Sequence, residues 1–172
     1  MALANKLGNS YTAVKDKLKV KTIHIKFEEN EFDLKVRIPL KQEFESINET
    51  IAGIDEAEID KLYNKLSKPI KKSIEQGGDE FVNALNKDKD YLIIKDNDII
   101  IDGTSIRNVA LMSLMNEAKV EQYFHLLISE TGEPITETFD EISQEFPDEM
   151  IQLIIKEIEK AIKPDYSSVK KN

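Results

Sequence analysis

Two runs of alternating apolar and polar residues stand near the start of the chain. In "VKTIHIKFEENEFDLKVRIPL", Ile23, Ile25 and Phe27 alternate with Thr22, His24 and Lys26; Phe32, Leu34, Val36 and Ile38 then alternate with Asp33, Lys35 and Arg37. Period-two patterning sets each apolar group on one side of a strand, so the runs predict a β-hairpin with one apolar face, joined through the polar residues 28–31. "YLIIKDNDIIID" predicts a second hairpin, in which β-branched runs flank Asp96-Asn97. Both residue types tolerate the positive φ of a tight turn.

Elsewhere the spacing is helical. Phe44, Ile47 and Ile51 predict a short helix ending at Gly53. Asp55 is placed to cap a second, with Glu58 three residues on. Its stripe runs Ile59, Leu62, Tyr63, Leu66, Ile70 and Ile74, with Gly77-Gly78 as the stop and a brief helix from Asp79 beyond. Pro69 lies inside that stripe and should kink or split the helix. Gly103-Thr104 should open the longest helix, over 105–129, whose first half "IRNVALMSLM" is apolar nearly all round and reads as buried. Gly132 would end it, and Pro134 would start an acidic helix with the inner stripe Ile135, Phe139, Ile142 and Phe146. A last helix follows Pro147, with Ile151, Ile154, Ile155, Ile158 and Ile162 as its core face. Met150 and Leu153 fall outside that face, and together with Phe146 they are the candidate partner-binding residues.

The expected fold class is therefore α+β: a mostly helical domain with a small antiparallel sheet built from two β-hairpins. A single domain over 19–163 would carry an N-terminal arm over 1–18 and a tail over 164–172. Leu3, Leu7, Tyr11, Val14 and Leu18 give the arm helical spacing, interrupted by Gly8-Asn9-Ser10. At 172 residues such a chain can bury a real core.

Charge sharpens the picture more than composition does. The net charge is −9, and residues 130–149 hold eight acids and no lysine or arginine. Residues 1–26 hold six lysines against Asp16 alone. So acidic a body argues against nucleic-acid binding, which needs a clustered basic surface. There are no cysteines, which removes disulfides and thiolate chemistry. No run is long and apolar enough for a membrane span, and cytoplasmic residence is the default expectation.

Candidate chemistry is sparse. His24 lies on the polar face of the first strand. His125 shares a helical face with Leu111, Leu114 and Ala118, which suggests a packed histidine bonded to Glu121 one turn earlier. Neither has an evident nucleophile to activate. Asp88, Asp90, Asp96, Asp98 and Asp102 cluster around the second hairpin, but without the glycine and closing glutamate of an EF-hand. Turn formation accounts for them. No enzyme activity, cofactor or metal is expected.

Two stretches, "FDLKVRIPLKQEFESI" and "YFHLLISETGEPITETFDEISQEFPDEMIQLIIKEIEKAIKPDY", resemble the tail assembly chaperones of long, non-contractile-tailed bacteriophages. Together they cover about a third of the chain. The resemblance implies a protein that binds the tape measure protein, keeps its long apolar helices soluble, helps recruit tail tube protein, and is absent from the mature virion. It also implies a frameshifted longer form of the same protein, for which Lys170-Lys171-Asn172 is a suitable ending. It carries no catalytic residues. The alternative from another class is an acidic DNA-mimic inhibitor of a nucleic-acid-binding protein, motivated by the acids of 130–149.

Overall fold

The computed structural model describes residues 19–87 and 89–163; the expected arm helix and the tail lie outside the described residues. In chain order the elements are β1 (Val20–Phe27), β2 (Asn30–Arg37), α1 (Lys41–Ala52), α2 (Glu56–Leu85), β3 (Leu92–Lys95), β4 (Asp98–Ile101), β5 (Thr104–Ser105), α3 (Ile106–Phe124), β6 (Leu127–Ile128), α4 (Phe139–Glu145) and α5 (Asp148–Ile162). The fold is α+β. In place of one sheet from two hairpins there are two separate sheets, ordered β1-β2-β6 and β3-β4-β5. Backbone contacts likewise group the chain into two compact units where the sequence suggested one domain. One is discontinuous, formed up to Asn48 and from Lys119 onward; the other is the inserted segment Glu49–Ala118.

In the discontinuous unit the first hairpin forms as its alternation requires, with Ile23 opposite Leu34 and Ile25 opposite Phe32. Its link is shorter than expected, because Asn30 and Glu31 already belong to β2. Helix α5 packs on β1. Ile151, Ile154, Ile155 and Ile158 are buried, and Ala161 rather than Ile162 completes the face. Each buried isoleucine contributes about 2 kcal/mol. Lys21 extends from β1 to donate to the Ala161 carbonyl at 2.6 Å, satisfying one of the acceptors that a helix C-terminus leaves open. On the same helix, a hydrogen bond from Lys119 holds the Glu159 carboxyl below its usual range.

Two expectations near α3 need correction. The helix stops at Phe124 rather than at 129, because Leu127 and Ile128 leave it to pair with Val36 and Lys35 as a third strand. The acidic helix begins at Phe139 rather than Pro134. There Thr138 and Glu141 form a reciprocal capping box, while Pro134 sits in an isolated bridge to Ile128.

In the inserted unit, Asp55 caps α2 by accepting from the Ala57 N–H at 2.9 Å. Backbone angles stay helical through Pro69 and break at Gly78, whose φ of 58° suits glycine. The proline and Lys65, four residues before it, are both exposed, on the side of the helix where a carbonyl deprived of its intrahelical donor costs least. Ile59, Tyr63 and Ala110 form the core here, with Ile54, Leu62, Ile106, Leu111 and Leu114 around it. The first half of α3 is not buried throughout, since Val109 and Met112 are 41% and 56% exposed.

The second hairpin pairs Lys95 with Asp98 across Asp96-Asn97, yet neither turn residue has positive φ. That conformation falls instead on Asp102 (47°) and Gly103 (78°), which turn β4 back into β5. Asp-Gly between β-branched runs is a strong signal for such a turn, and the expectation that Gly103 opens a helix is corrected accordingly.

Candidate functional site

The discontinuous unit carries a groove of about 340 Å³. Its origin lies in strand length. β6 pairs with β2 only at Val36 and Lys35, so Leu34 and Phe32 extend past its end with no third strand beside them. The chain then turns away through Gly132, whose φ is 80°. Ser129 braces the turn by donating to the Glu133 carbonyl at 2.7 Å. The opposite wall is α4 and the Phe146 that follows it. At the base the Phe124 and Phe146 rings meet edge to face, their centroids 5.7 Å apart. Ile142 and Ile154 are buried beneath.

Phe32, Leu34, Ile128, Ile135 and Phe146 line the groove and are half-buried. Its remaining boundary is acidic: Glu130, Glu137, Glu141 and Glu145 line it, and among the described residues no lysine or arginine does. Glu141 stays ionised because hydrogen bonds from the Thr138 backbone N–H and hydroxyl hold its carboxyl below the usual range. Glu130 and Glu145 have no ion-pair partner among the described residues. An apolar floor under an uncompensated acidic rim fits the apolar face of an amphipathic helix with basic flanks.

Of the residues suggested by sequence, Phe146 is part of this groove. Met150 and Leu153 are half-buried on α5 and do not line it. Phe32, Leu34, Ile128 and Ile135 were legible only as apolar positions of strands or of a helix stripe. What leaves them accessible is the two-residue length of β6, which has no periodicity to read.

The histidines and Asp98 have other partners, and Asp88 lies outside the described residues. His24 pairs across the hairpin with Asp33 at 2.6 Å. The His125 ring does not bond the Glu121 carboxylate; the backbone N–H of His125 donates to the Glu121 carbonyl at 2.9 Å. The ring Nε2–H donates to the Glu137 carbonyl at 3.1 Å, while the Glu121 carboxylate accepts from the Phe139 N–H at 2.7 Å. Asp98 accepts from the Ile99 and Arg107 N–H groups at 2.8 and 3.0 Å, joining β4 to the first turn of α3. Among the described residues no three His, Cys, Asp or Glu side chains converge as metal ligands, and no helix is long and apolar enough to cross a membrane.

No known family model, curated protein or solved structure matches the chain.

Proposed function

We propose that the chain is a tail assembly chaperone whose groove holds a helical segment of a tape measure protein, keeping that client soluble until tail tube protein is recruited. One observation carries the reading. All the described residues lining the groove fall within residues 32–47 and 123–166, the two stretches in which the chain resembles such chaperones. The apolar surface and the family-like sequence thus coincide. The acids of 130–149 fit this reading better than a DNA mimic, since a phosphate imitation has no need of an apolar floor between its carboxylates. Around a bound client they also supply the like-charge repulsion that keeps a complex dispersed.

Co-expression with the tape measure protein tests the reading. The wild-type chain keeps that protein in the soluble fraction and co-purifies with it. Leu34→Asp or Phe146→Asp lowers co-purification at least tenfold, equivalent to about 1.4 kcal/mol. Met112→Asp, in the inserted unit, leaves it unchanged. Failure of the wild-type chain to retain the client removes the chaperone reading. Full retention by folded groove variants moves the client site elsewhere.

A further inference from the structure

Strand β2 runs on past the end of β6, and what it leaves open there is backbone as well as side chain. Two hydrogen bonds at its C-terminal end set the direction of every group along it. Ile38 donates to the Lys19 carbonyl at 2.6 Å, and Arg37 donates to the Leu126 carbonyl at 2.8 Å. In an antiparallel ladder successive residues address opposite neighbours. Val36, Leu34 and Phe32 therefore turn their N–H and C=O groups toward β1, while Lys35, Asp33 and Glu31 turn theirs toward the β6 side. Ile128 takes up Lys35, the last residue that β6 reaches. Asp33 and Glu31 are left with their N–H and C=O groups on the open side, and among the described residues nothing bonds them.

The side chains of these two residues do not block the edge. They lie on the outer face, where Asp33 pairs with His24 at 2.6 Å and Glu31 with Lys26 at 2.8 Å. Phe32 and Leu34 point the other way, into the groove. A strand laid beside them meets a row of unpaired backbone groups and puts every second side chain over the apolar floor. Both ends of this edge are acidic: Glu28 and Glu29 are exposed at the hairpin tip, and Glu130 lies where the chain leaves β6. A second copy offering the same edge would bring its own Glu28 and Glu29 toward those acids, where like charges repel. The charge calls instead for a segment with lysine or arginine at its ends.

We propose that the open edge of β2 is a strand-addition site, which takes an extended partner segment of about five residues, apolar at alternate positions and basic at its ends, antiparallel to β2 as the continuation of β6. Main-chain hydrogen bonds to Asp33 and Glu31 hold the segment, and its apolar side chains settle on Phe32 and Leu34. In a helical client it is the extended stretch that leads into the helix. The proposal rests on the chaperone reading for the identity of the partner, but not for the pairing itself.

Amide exchange in the full wild-type chain reads the pairing directly. In the free protein the Asp33 and Glu31 amides should exchange roughly tenfold faster, or more, than those of Phe32 and Leu34, which bond β1. The probe is a synthetic peptide in which valine and threonine alternate between pairs of lysines. Its binding should slow Asp33 and Glu31 by roughly tenfold or more. A second peptide, N-methylated at the residues that would donate to the Asp33 and Glu31 carbonyls, should bind roughly tenfold more weakly although its side chains are unchanged. Slow exchange of Asp33 and Glu31 in the free chain overturns the proposal, because the edge is then already covered. Absence of peptide binding overturns it too, as does equal binding of the two peptides. So does binding that leaves both amides fast, which is what a helix with its own backbone bonds satisfied would give. The same amides, read in a complex with tape measure protein, separate this proposal from the chaperone reading. Retention of that client with Asp33 and Glu31 still fast keeps the chaperone and removes the strand. Slowing by the peptide with no client retained keeps the strand and removes the chaperone.

Discussion

The two sheets have the same construction, an antiparallel hairpin with a two-residue third strand, yet they treat their apolar residues differently. In the discontinuous unit Ile23, Ile25 and Val36 are 5%, 1% and 0% exposed, and α5 packs against β1. In the inserted unit Ile93 and Ile94 are 37% and 51% exposed, and only Leu92 and Ile99 of that hairpin are buried. Their charges differ as well. The acids of 130–149 edge an apolar groove, whereas residues 61–72 of α2 hold five lysines and no acid over a surface with no comparable apolar floor. Charge beside an accessible apolar floor makes a docking surface; charge alone makes a solvated one. That difference is why the functional reading rests on the discontinuous unit.

Three stability measurements sharpen or break the contrast. The largest effect is expected for Ile158→Ala, at a residue with no exposed surface, where the lost transfer energy and the cavity together cost about 3 kcal/mol. Urea unfolding gives the magnitude, and amide exchange shows where it falls. Loss of protection confined to the discontinuous unit supports two separately stabilised bodies. Equal loss across residues 56–85 shows that they unfold together.

Asp98→Ala comes next, at about 2 kcal/mol, because it strips the Ile99 and Arg107 N–H groups of their acceptor. Its pH dependence has a definite sign. Burial works to raise the Asp98 pKa, but hydrogen bonds from Ser105 and from the backbones of Arg107 and Ile99 outweigh it, leaving the carboxyl below its ordinary range. A lowered folded pKa gives stability that is present above the unfolded value of about 4 and lost as pH falls through the folded one. The gap between wild type and Asp98→Ala should therefore narrow below about pH 4. A gap that is constant down to pH 2 would show that the charge on Asp98 contributes nothing.

The smallest effect has the opposite sign. Ser67 is fully buried and its hydroxyl has no hydrogen-bond partner among the described residues. Ser67→Ala should stabilise the chain by about 1 kcal/mol, since it removes an unsatisfied buried group and improves helix propensity. A lower thermal midpoint for this variant would show that the hydroxyl does have a partner, such as an internal water.

Local order was largely legible. Strict alternation specified the first hairpin, Asp55 marked the start of α2, and the isoleucine spacing of α5 named four of its five buried residues. Two further signals were present but outweighed by others. The Asp-Gly pair at 102–103 is a turn signal that the helical spacing just after Gly103-Thr104 obscures, and the capping pair Thr138 and Glu141 marks the start of α4 behind the competing signal of Pro134. Pro69 shows the converse: a helix breaker by propensity is accommodated on an exposed face of α2.

By itself, then, the sequence determined the elements whose signals are local: periodicity, caps, turns, and the opposed charges of 1–26 and 130–149. The tertiary structure alone decided where β6 pairs and where it stops, because two residues carry no period and their partner lies some ninety positions away in the chain. The groove follows from that stop. Residues that look like ordinary core in sequence become an accessible floor when the strand that would cover them is too short.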